Sequence, residues 1–357
     1  MFPVTSLAGA IRPPSTGAPG VMTGAGDPSG TMRGPMWMPM QPPTPGRVLA
    51  WHPQPIPLLP LAAVVLLLGY LAAVLLLRRR GVHWPLGRTI AWGLGALTVL
   101  AVTATGIDGY GMEMFSIHMV QHMVLSMFSP VLLALGAPVT LLLRVLPASR
   151  GRSGSARRTL LRVLHSRASR FVAHPAVTLV LFLMSLYGLY FTPVFDYLMG
   201  TWWGHNLMLI HFLLIGMLYF WGILGVDPSP RPSGKGLADA GAVLPVLELA
   251  ATAPFHAFFG VVVMMSTSLI VHFYAIPMPG WNLSPLSDQA AGGGIAWGFT
   301  ELPTLVVLGA LVLKWQRSDQ RASRAADRRR AREGDTELDG YNDYLQSLAR
   351  RDGNGTA

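Results

Sequence analysis

The chain has 357 residues and a formal net charge of +10; 51% of it is hydrophobic and 12% charged, and it has no cysteine. That charge content is about half the roughly 25% of ordinary soluble domains. Disulfides, thiolate metal sites, iron–sulfur ligation and c-type haem attachment are therefore excluded. Several apolar runs approach the ~20 residues that cross a bilayer, so the basic character speaks to membrane topology and not to nucleic acid.

Residues 1–57 are rich in Pro, Gly, Ser and Met and lack a long apolar run. They read as a disordered arm outside the membrane, and no basic segment leading into an apolar core marks a signal peptide. The arm carries Met36, Met38 and Met40. Thioethers are soft ligands that suit Cu(I), although methionine also occurs incidentally in such linkers. The membrane domain, 58–315, holds seven apolar stretches: 58–77, 88–106, 112–143, 174–197, 202–225, 239–273 and 288–315. The third is expected to kink at Ser129-Pro130 and Gly136-Ala137-Pro138. Pro254 is expected to bend the sixth. The tail, 316–357, is strongly charged. Within it Leu338, Tyr341, Tyr344, Leu345 and Leu348 recur at helical spacing.

The fold class expected is all-α, a polytopic bundle of seven transmembrane helices. Lys and Arg concentrate in alternate connections. Arg78, Arg79, Arg80 and Arg88 follow the first stretch, eight arginines from Arg144 to Arg170 follow the third, and Arg231 and Lys235 follow the fifth. The connections after the second, fourth and sixth contain none, and the tail is again arginine-rich. The positive-inside rule then puts the N-terminus outside and the C-terminus in the cytoplasm of a multi-pass cell-membrane protein.

Ionisable groups inside a membrane are costly, which makes them functional candidates. His118 and His122 sit four apart in the third stretch, so at ~100° per residue they share one helix face, with Met119 and Met123 beside them. His205 and His211 lie in the fifth stretch, and His256 and His272 in the sixth. With the orientation above, all six fall in the outer half of the bilayer or at its rim. A lone intramembrane histidine is ordinarily a hydrogen-bonding packing residue, and methionine an ordinary core filler. Six imidazoles at similar depth on three helices exceed what packing requires. His118, His122, His211 and His256 are the first choice of metal ligands, and His205, His272, Met119, Met123, Met36, Met38 and Met40 are further candidates. Imidazole suits several transition metals, and thioether neighbours tilt the choice to copper. Two histidines on different helices would equally serve haem, giving a membrane electron carrier. The deep acids Glu248 and Glu301 allow a third reading, a copper or proton transporter. Asp288 and Gln289 are expected to cap the seventh helix. No nucleophile–base motif suggests catalysis.

His118–Met123, which reads HMVQHM, with Ser129-Pro130 and Leu135–Pro138 after it, resembles the CtaG-type cytochrome c oxidase assembly factors. So do His205 and His211, Gly225–Pro228, His256–Gly260, and the run from Asp288-Gln289 to Trp297-Gly298. The resemblance covers roughly residues 50–315. It implies a seven-span, non-enzymatic membrane factor in the maturation of a haem–copper oxidase. It further implies a copper-bearing oxidase subunit as partner, and copper handling as the task.

Overall fold

The computed structural model describes residues 35–147, 155–230, 243–333 and 336–354. It is helical throughout these segments apart from connections and isolated β-bridge residues, among them Trp51 paired with Thr105. Six helical stretches are long and apolar enough to cross a membrane: Leu58–Arg79, Leu86–Thr103, Phe115–Val145, Trp202–Leu224, Leu244–Met265 and Pro285–Leu313. A shorter apolar helix, Pro175–Tyr190, stands with them. Leu61, Val65, Leu68 and Leu75 on the first, and Leu207 and Leu214 on the fourth, are exposed. Apolar side chains facing outward from a bundle belong in lipid.

In chain order the elements are α1 (Pro45–Val48), α2 (Leu58–Arg79), α3 (Leu86–Thr103), α4 (Gly106–Tyr110) and α5 (Phe115–Met123). A single π-helical turn (Val124–Phe128) leads into α6 (Ser129–Leu135) and α7 (Pro138–Val145). The basic connection forms α8 (Ser155–Leu164) and α9 (Arg167–Val172). Then come α10 (Pro175–Tyr190), α11 (Val194–Met199), α12 (Trp202–Leu224), α13 (Val243–Met265), α14 (Pro285–Glu333) and α15 (Thr336–Asn354).

The third apolar stretch interrupts where its sequence breaks helices. Ala137 takes a left-handed conformation, φ 52°, ahead of Pro138, and ends α6. The freed N-terminus of α7 is held by Asp227, whose carboxylate accepts from Val139 N at 2.9 Å and Thr140 N at 2.8 Å. Helices approach closely where glycines allow it. A Cβ on Gly216 of α12 would stand 2.2 Å from the Ser126 carbonyl oxygen in the π-turn. A Cβ on Gly293 of α14 would stand 2.4 Å from Met264 N on α13. Small residues of this kind are how membrane helices bring backbones together.

The connections form two interlocked groups. In one, Arg80 donates to the Val145 carbonyl, Arg88 and Arg144 lie over the Trp84 ring, and Asp227 caps α7. In the other, the N-terminal segment 35–57 packs on the loop 104–114. Trp37 stacks on His52 at 3.6 Å, Gly106 N donates to Ala50 O, and Tyr110 OH donates to Gln41 O. Trp281 donates to Met40 O, Tyr274 OH to Gly111 O, and Phe273 N to Asp196, joining the later connections to the same end.

Several expectations need correction. The part of the arm that is described, 35–57, is packed and not disordered, because Trp37, His52 and Gln54 supply contacts that composition hides; 1–34 lie outside the described residues. The fourth stretch stops at Tyr190, where Thr192-Pro193 breaks it and α11 restarts the chain. The sixth stops at Met265, because Ser266 hydrogen-bonds locally to Ser268 and competes with the helix; residues 239–242, its expected start, lie outside the described residues. The seventh begins at Pro285 and continues unbroken through residue 315 to Glu333. The expected domain boundary at 315/316 therefore falls within one helix, since the Gln, Arg and Ala of the following segment are strong helix formers.

Gly216→Val tests the tight crossing: overpacking of this kind costs about 1–3 kcal/mol. Thermal unfolding of the detergent-purified protein should drop clearly, whereas Gly298→Ala, with open space at its Cβ, should leave it unchanged or slightly raised.

Candidate functional site

α5 is built to hold its histidines. The chain enters it extended at Met114, and no side chain of its own caps the helix. The cap comes from α14: Asp288 accepts from Phe115 N at 2.6 Å and from Ser116 N at 3.4 Å, and the Ser116 hydroxyl donates to it too. A carboxylate against a helix N-terminus satisfies orphan amides and complements the helix dipole. Gln289 serves a different segment, accepting from Ile270 N and donating to Ser268 O. Neither side chain caps the helix it sits on, which corrects the expectation of a cap on the seventh helix.

His118 is fully buried, and its Nε2 shares a 2.9 Å hydrogen bond with Tyr190 OH. Its ring is enclosed edge-on by Phe195 at 5.1 Å and Phe212 at 6.2 Å. His122, one turn on, meets Phe212 at 4.1 Å and Tyr190 at 5.5 Å. The π-turn begins two residues later, and Ser126 there donates to the His122 carbonyl. Such turns inside α-helices often occur at functional sites. The Nδ1 atoms of both histidines are buried without a hydrogen-bond partner.

His122 lies within electrostatic reach of His118, His211 and His256. His211 on α12 is half-buried, with Nε2 3.0 Å from Ser185 Oγ. His256 on α13 is buried and lies 6.1 Å from the Phe182 ring. A small cavity of about 10 Å³ lies beside it, lined by Met127, Phe182, Tyr219 and Thr252 among others. Three helices thus bring four imidazoles into one aromatic-walled region. Among the described residues, no three His, Asp or Glu side chains stand at metal-ligating spacing.

The remaining candidates disperse. His205 is buried, with Nε2 3.8 Å from Asp108, and is within electrostatic reach of His118. His272 is 75% exposed in its side chain, beside Asp196, away from the other five. Met119 and Met123 are in the apolar core. Of the arm methionines Met36 is buried, Met38 half-buried and Met40 69% exposed. Glu248 is buried on α13, and its carbonyl accepts from Thr252 and Tyr219 hydroxyls. The side chain of Glu301 lies outside the described residues.

Two residues at the site were not singled out from sequence. Tyr190, inside the expected fourth stretch, holds His118. Asp108 lies on the short helix α4, between the second and third apolar stretches. It is 3% exposed, and Gln121 Nε2 donates to it at 2.6 Å. Burial pushes its carboxyl up to about 7, with hydrogen bonds from Gln121 and Gln54 opposing that shift. A polar residue between two apolar runs was the only signal.

Asp288→Ala removes the cap of α5 and should cost about 1–2 kcal/mol, as loss of a helix cap does. Asp288→Asn, which retains an acceptor, should cost less; thermal unfolding of the purified variants ranks the two.

The chain is 46% identical over 318 residues to an uncharacterized protein of Mycobacterium bovis, Mb0105, and equally to MT0111 of Mycobacterium tuberculosis. It is 43% identical over 291 residues to ML1998 of Mycobacterium leprae. These alignments cover 87% and 81% of this chain. The chain spans about half the length of these relatives, 46% and 43%. No solved structure matches. The family described as cytochrome c oxidase caa3 assembly factor (Caa3_CtaG) matches residues 68–318, a stretch that contains every helix of the histidine cluster. The chain therefore belongs to the caa3-type cytochrome c oxidase assembly factor family.

Proposed function

We propose that the protein takes up copper at the outer face of the cell membrane, holds it on His118, His122, His211 and His256, and delivers it to the copper-bearing subunit of a haem–copper oxidase without itself catalysing a reaction. The observation that carries this reading is the convergence of four neutral-capable imidazoles from three helices, with two Nδ1 atoms left without partners. A buried ring nitrogen with no partner costs about 1–3 kcal/mol, and a soft or borderline cation relieves it. Metal capture draws the rings together from their present spacing by side-chain rotation. A cargo site of this kind binds without the rigid, closed coordination of a structural metal. Family membership supports the oxidase as the destination.

The same reading includes seven passes, with the N-terminus outside and the C-terminus in the cytoplasm. The short helix α10 is the seventh pass, and the two interlocked groups of connections are the two membrane faces. The arginines of α8 and α9 lie on the cytoplasmic side and the histidine cluster towards the outside.

Two experiments test the proposal. In the first, His118→Ala with His122→Ala should lower copper retention by the purified protein and lower oxidase activity in cells. Unchanged copper stoichiometry would sink the metal site. The second uses the natural absence of cysteine. Met40→Cys should react with a membrane-impermeant thiol reagent in intact cells, and Ser347→Cys only after permeabilisation; the opposite pattern would reverse the orientation.

A further inference from the structure

The Asp108–His205 pair lies at the edge of the four-histidine cluster and has no role in it so far. His205 is wholly buried on the first turn of α12, and neither of its ring nitrogens has a hydrogen-bond partner. Its Nε2 faces Asp108 Oδ1 at 3.8 Å. That separation exceeds a hydrogen bond of about 2.7–3.2 Å. It matches the span of an ion held about 2 Å from each atom. Asp108 is itself buried, and it accepts from the neutral side-chain amides of Gln121 and Gln54. The Oε1 of Gln121 is a further buried acceptor without a partner. An imidazole with both ring nitrogens open and an amide oxygen without a partner, beside a buried carboxylate that accepts only from neutral amides, describe a receptor for a cation.

We infer that Asp108 and His205 form a second metal-binding station, with Gln121 Oε1 as an auxiliary ligand, placed between the N-terminal segment and His118. The assignment of copper to this station rests on the proposed function above; the site itself rests on the geometry. His205 Nε2 and Asp108 Oδ1 are the two anchoring ligands. Trp37, packed against Gly109, and Gln54, hydrogen-bonded to Trp37, cover the connection that carries Asp108. His118 lies within electrostatic reach of His205 on one side and His122 on the other. It would separate an outer, oxygen-containing station from an inner, all-imidazole one. Oxygen ligands bind copper less selectively than imidazole, so affinity should rise along that order.

The test counts copper on the full-length protein, purified in detergent, loaded with Cu(II) sulfate and desalted. Wild type should retain two equivalents. Asp108→Asn, which keeps an acceptor for Gln121, should retain one, and Asp108→Glu should restore the second. His122→Ala should also retain one, from the other station. Equal copper on wild type and Asp108→Asn overturns the second station. If wild type holds a single equivalent that His122→Ala loses and Asp108→Asn keeps, this inference fails and the four-histidine reading stands. If Asp108→Asn loses it and His122→Ala keeps it, the inference stands and the four-histidine reading fails. No copper on wild type overturns both. His205→Phe, which fills the same buried space without a ligand atom, should also lose one equivalent, and it decides the matter should Asp108→Asn fail to fold.

Discussion

The hydrogen bonds from α5 to Asp288 are the constraint on which the site depends. Phe115 and Ser116 open α5, and their amides would be orphaned beside lipid-facing helices without a partner. The carboxylate that satisfies them sits 173 residues later, on the first turn of α14. One side chain thus fixes the start of the helix carrying His118 and His122 against the helix that closes the bundle. The close crossing of α13 and α14 at Gly260 and Gly293 then fixes His256 relative to the same frame. Gln289, next in sequence, holds the segment after α13. Two adjacent residues therefore tie together helices that the chain connects only through long excursions.

Within that frame the polar groups are treated unequally. Gln121 donates to both Val102 O and Asp108, and Thr98 pairs with Ser129. Such bonds tie α3 to α5 and α6. The histidines are different. Each of His118 and His122 keeps one ring nitrogen unpartnered, and His205 keeps both. Burying a ring nitrogen without a partner carries a cost, and it recurs at three histidines of this region. The aromatic wall of Tyr190, Phe195 and Phe212 keeps water from relieving it.

The two interlocked ends of the molecule explain why the N-terminal segment matters. Residues 35–57 cross the 104–114 connection, where Gly106 and Gly109 leave room for backbone and for the Trp37 ring. Met36 is buried there, while Met40 stays exposed. The methionines thus do not act as one free brush. They grade from the surface into the packed end of the bundle, near the connection that carries Asp108.

Apolar length was enough to read the helical class and six helices long and apolar enough to cross a membrane, and residue type and spacing marked the candidate histidines on α5, α12 and α13. Those properties are local: hydropathy over ~20 residues and the ~100° rotation of a helix need no tertiary information. Helix ends at Tyr190 and Met265 were misread, because Thr192-Pro193 and the Ser266 side chain act through local hydrogen bonding that an apolar average smooths over. Which histidines gather was decided only by packing. His272 has the same residue type and a similar expected depth as His256, yet it lies on an exposed loop. Asp108, Tyr190 and the true partner of Asp288 also escaped the sequence, since each acts on a helix far along the chain. Sequence by itself determined which stretches are long and apolar enough to cross a membrane; only the tertiary structure decided which buried polar atoms meet, because that depends on crossings between distant helices set by a few glycines and one carboxylate.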